Sequence, residues 1–356
     1  MLDETTSAGR SGAAPEISQA RALLREWLGW PVPKFKTNER VGELKIDLLV
    51  EQEGRQFVIE RKGSSEAAIV RNAAVEVQSR ARAIGKRAVP VVVVPFMGDV
   101  GKRLCAEADV AWFDLSGNAR IVAPGLRIIV EGKPNRFIRR GRPSSAFAPK
   151  SARVVRRLLI EPRRSFRQQE LAEATGLDDG FTSRIVHRLE ADGLLDRDSA
   201  GAVRVRDPDL LLDAWSEVYD FNKHTIVRGH VTAKNGDEVL GRLGKAFESR
   251  KIQHAATGLS AAWLHTAFAG FRLTTFYVRE PPSRAVLKEI GFREEPKGAN
   301  VWLVVPKDEG VFDGTAKKDG LVCVHPVQAY LDLAAHPERS KEAADELRTR
   351  LLRWKS

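Results

Sequence analysis

The chain has 356 residues, enough for two or three domains with separate cores, and its 43% hydrophobic and 29% charged content is typical of a globular protein. The longest apolar run, Val89–Met97, is too short to cross a bilayer, and the two cysteines, Cys105 and Cys323, exclude a disulfide framework or a cysteine zinc site. The net charge of +11 favours a polyanionic partner.

The first sixteen residues are small, polar and partly acidic. A secretory signal would instead combine a positively charged start with an apolar stretch. We therefore expect residues 1–16 to be a disordered lead-in and the protein to be cytoplasmic, with no membrane partner.

Two predicted strands, Leu44–Val50 and Phe57–Lys62, are separated by a glycine-containing turn and should form a hairpin. Because side chains alternate along a strand, Glu60 and Lys62 lie on one face of the second strand. Asp47 on the neighbouring strand can approach that face. Two carboxylates and an ammonium group in this arrangement suit a metal ion, a phosphate and an activated water.

The following segments alternate between helix and strand. The pattern predicts helices at 66–84 and 100–108, and strands at 88–95, 110–114, 119–122 and 126–130. With a helix before the hairpin, this order predicts a compact α/β domain spanning residues 17–134.

The hairpin residues resemble the active-site motif of the PD-(D/E)xK, or restriction-endonuclease-like, superfamily, with Ile46 in place of the proline of the motif. The resemblance implies a mixed α/β sheet in which Asp47 and Glu60 bind Mg²⁺ and Lys62 orients or deprotonates the attacking water. Gln78 matches a glutamine that some branches place beside the site. Short motifs of this kind also arise by chance, and nuclease folds can serve as binding scaffolds, so catalysis stays open.

Positive charge is concentrated between residues 133 and 167, where twelve lysines and arginines face one acid. Residues 135–150 also contain glycine, prolines and serines, which is typical of a linker. RNA and an anionic membrane surface are alternative partners, but no apolar face accompanies the charge, so DNA is favoured. The linker contributes three candidate phosphate contacts, Arg139, Arg140 and Arg142.

Residues 151–207 show the order of a winged helix-turn-helix. Helices are predicted at 152–160, 167–174 and 181–192, and the segments 194–197 and 202–206 can pair as a small hairpin. The sequence from Leu171 to Leu195 closely resembles bacterial winged-helix regulators.

The third helix of this region is the predicted DNA-reading helix. Its expected buried side includes Ile185, Val186 and Leu189, which leaves an outward face made of Thr182, Ser183, Arg184, His187 and Arg188. Arg197 and Arg204 on the wing would reach the DNA backbone or the minor groove. Winged helices also mediate protein contacts, which is the alternative interpretation.

Residues 208–356 resemble the antitoxins of abortive-infection, type IV toxin–antitoxin systems. The matching stretches include Thr257–Leu264, Thr274–Val278, Asn300–Pro306 and Pro326–Leu333, within a predicted α/β domain. The resemblance implies promoter binding through the winged helix and a cognate nucleotidyltransferase toxin as partner. Members of this family commonly lack a nuclease-like first domain.

Two hypotheses follow from these residues. In the first, the protein is a Mg²⁺-dependent DNA endonuclease targeted by its winged helix, acting in phage defence or DNA processing. In the second, it is a transcriptional repressor or antitoxin whose nuclease fold only grips DNA and needs no cofactor. A two-fold homodimer is expected because winged helices often read paired half-sites.

Overall fold

A computed structural model describes residues 13–41, 44–137, 146–268 and 270–354. The chain divides into two compact units, Met1–Arg142 and Pro143–Ser356. Residues 1–12 of the expected lead-in lie outside the described residues, as do Arg139, Arg140 and Arg142. The last four residues of the lead-in, 13–16, are helical and not disordered, because the first helix begins at Ala13. Within the described part of the chain, no helix combines the length and apolarity needed to cross a membrane.

The first unit is a seven-stranded mixed sheet with helices on both faces. The strands pair in chain order from β1 to β7, parallel at β3–β4–β5 and antiparallel elsewhere. Its elements are α1 (Ala13–Leu28), β1 (Lys34–Val41), β2 (Leu44–Gln52), β3 (Arg55–Arg61), α2 (Ala67–Ile84), β4 (Ala88–Val94), α3 (Asp99–Glu107), β5 (Ala111–Asp114), β6 (Ala119–Ala123) and β7 (Leu126–Val130).

The predicted hairpin is formed by β2 and β3 with a two-residue turn. Glu53 and Gly54 both have positive φ angles, 49° and 75°, as a turn that follows the right-handed twist of the strands requires. This turn fixes the register that pairs Leu48 with Ile59. The hairpin therefore determines which residues of the two strands face each other at the far end.

Central strand β4 is buried on both faces, as its apolar run predicts. Val91 and Val93 belong to the core on the α1 side, whereas Val92 and Val94 belong to the core on the side of α2 and α3. Such alternating burial is expected for a parallel strand inside a covered sheet.

The second unit contains the winged helix and a second seven-stranded sheet. The winged helix consists of α4 (Ala152–Ile160), α5 (Gln168–Thr175), α6 (Asp179–Ala191), β8 (Leu195–Arg197) and β9 (Val203–Val205). The predicted order is confirmed, and Phe166 adds an isolated bridge to Val203.

The remaining elements form an α/β region around a sheet ordered β13-β10-β14-β12-β11-β16-β15. They are α7 (Pro208–Val218), β10 (Thr225–His230), α8 (Gly236–Ser249), β11 (His254–Thr257), α9 (Gly258–Thr266), β12 (Thr274–Val278), α10 (Arg284–Glu289), β13 (Arg293–Glu294), β14 (Val301–Val305), β15 (Ala316–Lys318), β16 (Leu321–Cys323), α11 (Pro326–Leu333) and α12 (Ser340–Leu351). The predicted α/β fold class is thus confirmed.

Helix α4 ties the winged helix to this α/β region. Arg156 is 3% exposed, donates from Nε and Nη2 to Gln328 Oε1 at 3.1 and 2.6 Å, and lies over the Trp215 ring. One turn earlier, Arg153 makes a two-point contact with Asp308 at 2.7 and 2.9 Å. Two arginines on one helix therefore fix the orientation of the winged helix on the α/β region.

A polar network lies behind Gln328. Asp332 is fully buried and accepts hydrogen bonds from Gln328, Tyr219, Tyr277 and Thr257. Burial nevertheless raises the pKa of Asp332 to about 6, with the hydrogen bonds opposing that rise. The hydrogen-bond donors therefore stabilise the ionised carboxylate, whereas loss of solvent destabilises it.

All seven histidines lie in the second unit, and three are strongly perturbed. Burial lowers the pKa of His224, His325 and His336 to about 4. These imidazoles are neutral in the folded state, whereas the unfolded chain binds protons below about pH 6.5. The stability that they contribute is present above that pH and is lost as the pH falls toward 4.

We predict that the second unit loses stability between about pH 6.5 and about pH 4, by up to ~3 kcal/mol for each of the three histidines. Asp332 acts with the opposite sign, because its raised pKa removes stability as the pH rises toward 6. One carboxyl group does not offset three imidazoles. The first unit, which has no histidine, is the internal control.

Scanning calorimetry across this pH window measures the result. The transition of the second unit should move to lower temperature on acidification much further than that of the first. Equal shifts of both transitions would contradict the burial of neutral histidines.

Candidate functional site

The hairpin brings Asp47 and Glu60 together at the end of β3. Leu48 pairs with Ile59, so continuing the register sets Asp47 opposite Glu60. Asp47 Oδ2 accepts the backbone N–H of Arg61 at 3.0 Å, and Lys62 Nζ lies 2.9 Å from Glu60 Oε1. The three residues of the sequence motif therefore share one site.

Glu60 is the most buried charged group of this site, with 5% of its surface exposed. Burial raises its pKa above the ordinary range, the bond from Lys62 lowers it, and the negative charge of Asp47 raises it further. The net rise means that Glu60 depends on positive charge nearby to stay ionised.

Helix α2 adds two residues to the cluster that sequence reasoning missed, and only Arg80 of the two carries positive charge. Arg80 forms an ion pair with Glu60, and Glu76 accepts from Lys62 Nζ at 3.1 Å. Arg80 and Glu76 are themselves 3.7 Å apart, one helical turn along α2. Their i, i+4 spacing on the helix after the motif was the available sequence signal.

The ammonium of Lys62 remains protonated in this cluster. Burial alone would lower its pKa, but the hydrogen bonds and charges of Glu60 and Glu76 outweigh burial and raise it. In this arrangement Lys62 is a hydrogen-bond donor and a positive charge.

Gln78 is not brought to the cluster. Its side chain donates to the carbonyl oxygen of Ala108 at 2.6 Å, on the side of α2 that contacts the end of α3. At about 100° per residue, Gln78 lies about 200° around the helix from Glu76. The sequence match therefore marks a residue that joins two helices.

The donor set suits a hard divalent cation only in part. Mg²⁺ in proteins commonly takes one or two carboxylates together with water and phosphate oxygens, and Asp47 and Glu60 fit that pattern. A cation there would replace the Arg80 guanidinium as the counter-charge of Glu60. Within the described ranges, no group of three or more His, Cys, Asp or Glu side chains is arranged to hold a metal.

Helix α6 presents a basic surface opposite its buried side. Asp178 caps the helix by accepting the N–H of Phe181 at 2.7 Å. Arg184, His187 and Arg188 are exposed, at i, i+3 and i+4 spacing. Arg188 also contacts Asp192 at 2.9 Å, and 89% of the His187 side chain is accessible.

Thr182 corrects the prediction that it belongs to the outward face. The structure buries it completely, because Thr182, Ile185, Val186 and Leu189 follow the i, i+3, i+4, i+7 pattern of the inner stripe. Its hydroxyl has no hydrogen-bond partner within the described part of the chain. Ser183 is half-buried at the edge of the outward face.

The two wing arginines have different surroundings. Arg197 makes a two-point contact with Glu190 of α6, both bonds at 2.7 Å, and also donates to the carbonyl of Gly201. The hydrogen bond from Arg197 lowers the pKa of Glu190. Arg204, by contrast, is exposed on β9. Arg197 therefore braces the wing against α6, whereas Arg204 is accessible to a ligand.

Among solved structures, the matches to this chain are distant. One is the structure of an EndoMS–dsDNA2 complex, at 19% identity and TM-score 0.24, covering 32% of this chain and 48% of that chain. A repair endonuclease from Pyrococcus abyssi matches at 16% identity and TM-score 0.23, covering 28% and 46%. The chain thus spans about half the length of each.

A third structure, the protein of unknown function AF1548, matches at 16% identity and TM-score 0.22, covering 49% of this chain and 97% of that chain. TM-scores this low do not by themselves establish a shared fold. The comparison with curated proteins gave no significant match.

Family models match the second unit. Residues 148–204 match the MarR family. Residues 204–353 match the family described as transcriptional regulator, AbiEi antitoxin, type IV TA system. The winged helix and the antitoxin-like region recognised in the sequence are thereby confirmed.

Proposed function

We propose that the protein is a DNA-binding transcriptional regulator of the antitoxin kind, which reads DNA with α6 and the wing. The observation that carries this proposal is the exposed basic face of Arg184, His187 and Arg188 on α6, within a region that matches the MarR family. The adjoining AbiEi-type match supports the regulatory role.

The chemistry of this face suits a duplex. Arginines neutralise phosphates and can form two-point contacts with guanine in the major groove. Arg204 on the wing extends the basic surface, and the Arg197–Glu190 contact keeps the wing in place beside α6. Phosphate contacts would position the protein, while Arg184 or Arg188 would contact base edges.

Three further parts of the proposal concern its setting. We propose a two-fold dimer on paired half-sites, a location in the cytoplasm where the DNA is accessible, and a cognate toxin as protein partner. The AbiEi-type match supports the toxin partner.

We predict that Arg184→Gln weakens binding to a duplex from the protein's own upstream region by about tenfold, the effect of losing one good contact. If Arg204 neutralises a phosphate, Arg204→Gln should reduce the slope of log K against log salt by about 0.9. Fluorescence anisotropy titrations at several salt concentrations measure both quantities.

The control is Arg284→Gln, which removes an exposed arginine from α10. It should leave affinity and salt slope unchanged. A loss of affinity as large as that of Arg184→Gln would indicate that only the overall charge matters and that α6 has no special role.

A second candidate function is metal-dependent cleavage of DNA by the first unit. The observation that favours it is the convergence of Asp47, Glu60 and Lys62, with Lys62 Nζ 2.9 Å from Glu60. Asp47 and Glu60 would hold Mg²⁺, which would supply Lewis-acid activation of water and charge neutralisation.

The protein's own residues would have distinct roles in this reaction. Lys62, positively charged between Glu60 and Glu76, would bind a phosphate oxygen or orient water by donating a hydrogen bond. Arg80 would leave Glu60 and pair with Glu76 or with the phosphate. Burial of Glu60 would strengthen these electrostatic contacts.

We predict that, if this unit cleaves DNA in Mg²⁺, both Asp47→Asn and Lys62→Ala reduce the rate by at least about 100-fold, the usual scale for loss of a key electrostatic group. Lys45→Ala, which removes an exposed lysine two residues from Asp47, should retain activity. Plasmid, nicked and single-stranded substrates should each be assayed.

Metal binding provides a readout that does not depend on cleavage. Mg²⁺ should raise the melting temperature of the first unit, and Asp47→Asn should abolish that rise. Absence of both cleavage and metal stabilisation in the unmodified protein would reject the enzymatic function and leave the regulatory one intact.

A further inference from the structure

The two edge strands of the first sheet differ in composition. Strand β1 at one edge, KFKTNERV, carries four charged side chains in eight residues. Strand β7 at the other edge, LRIIV, carries one charged side chain in five residues. Charged side chains protect an edge strand from pairing with another chain, because such pairing would bury them. By this criterion β1 is protected and β7 is not.

The edge of β7 that faces away from β6 can accept a further strand. Among the residues that the structure describes, β7 pairs with β6 and with no other strand. Backbone N–H and C=O groups along its outer edge can therefore pair with another strand. Ile128 belongs to the apolar core beside α1, where Leu126 and Val130 are only partly buried. A strand added at this edge would cover them further.

The opposite face of β7 is exposed and combines one apolar and two charged side chains. Ile129 is 38% exposed. Arg127 and Glu131, two residues to either side of it, are also exposed, and Glu131 follows directly after the strand. Because residues at alternate positions share a face, this face presents a cation, an apolar side chain and a carboxylate in succession.

This succession is complementary to itself when two copies of β7 pair antiparallel. With the two-fold axis beside Ile129, the register sets Ile129 against Ile129 of the second copy and Arg127 against Glu131. Opposite charges then flank a central apolar pair on both sides. On the other face, Ile128 meets Val130 and the apolar core continues across the edge. An axis beside Ile128 would instead set Arg127 against Ile129 and leave the charges unpaired.

We propose that two copies of the protein associate through β7, so that their first sheets join into one sheet across a two-fold axis. A second copy fits this edge because the charges of the strand match those of the same strand reversed. The interface gives a surface to the two-fold dimer that forms part of the proposed function, and it rests on that part alone. It involves no residue of the DNA-reading helix α6.

Disulfide trapping in the full-length protein tests the register. Ile129→Cys should form an intermolecular disulfide on mild oxidation, because directly paired residues of antiparallel strands have Cα atoms about 4.5–5.5 Å apart, a distance that a disulfide spans. Arg127→Cys is the matched control, since the two copies of residue 127 would lie about 14 Å apart and should stay reduced. Cys105 and Cys323 are buried and should contribute no cross-link. Equal trapping at both positions, or trapping at neither, would overturn the proposed pairing.

Sedimentation equilibrium of the full-length protein measures the dimer itself. Arg127→Glu and Glu131→Arg should each raise the dimer dissociation constant at least about tenfold, because like charges then face each other at two symmetry-related places. The double variant places opposite charges together again and should regain the affinity of the unmodified protein. Arg40→Glu makes the same charge change on the exposed side of β1 and should have no effect.

Three results would contradict the interface. They are an unmodified protein that is monomeric across the micromolar range, single variants that dimerise as it does, and a double variant that stays as weak as the single ones. Each of these leaves the DNA-reading role open, because Arg184→Gln on α6 tests that role separately. Since Arg127, Ile129 and Glu131 are exposed, folding is expected to be retained in every variant.

Discussion

The candidate site of the first unit depends on the burial of one carboxylate, Glu60. A carboxylate removed from water must be compensated, and here Lys62 from the same strand and Arg80 from α2 provide the compensation. The Arg80–Glu60 ion pair joins the end of β3 to α2, and the same packing brings Glu76 to Lys62. Arg80 neutralises the charge of Glu60, which is what a bound divalent cation would otherwise do. A nuclease would exchange one for the other, whereas a DNA-binding scaffold would keep the arginine.

A second buried charge has a comparable role in the second unit. Arg156 on α4 is held by Gln328 and lies over Trp215, and both partners belong to the α/β region. Helix α4 in turn packs against α5, α6 and β9 of the winged helix. The orientation of α6 is therefore fixed relative to the antitoxin-like region.

Much of the architecture was predictable because local rules and tertiary packing agree. Gly54 between two apolar alternating segments predicts the hairpin, and the stripe of Val70, Ala74 and Val77 predicts the buried side of α2. Strand β1 was not predicted, because its sequence, KFKTNERV, is polar and gains its strand structure only by pairing with β2. Edge strands of this kind carry little signal of their own.

The site was predictable to the extent that its residues are close in sequence. Asp47, Glu60 and Lys62 belong to one hairpin, whereas Arg80 and Glu76 join them only when α2 packs on the sheet. The structure places Gln78 and Thr182 away from the sites expected for them. Gln78 was assigned by its match to a glutamine of the family and Thr182 by its residue type, yet helical periodicity directs Gln78 toward Ala108 and Thr182 into the core. Periodicity was the stronger signal in both cases.

The first sheet is chemically polarised along its strands. The carboxylates of Asp47 and Glu60 lie where β3 ends, whereas Arg55, Lys86 and Arg87 lie where β3 and β4 begin. An acidic end repels a phosphate backbone unless cations accompany the carboxylates, and Lys62 and Arg80 are those cations. A basic end attracts phosphates without such help. The two groups of charges lie about 17 Å apart along β3, roughly twice the Debye length at physiological salt, so they influence each other little.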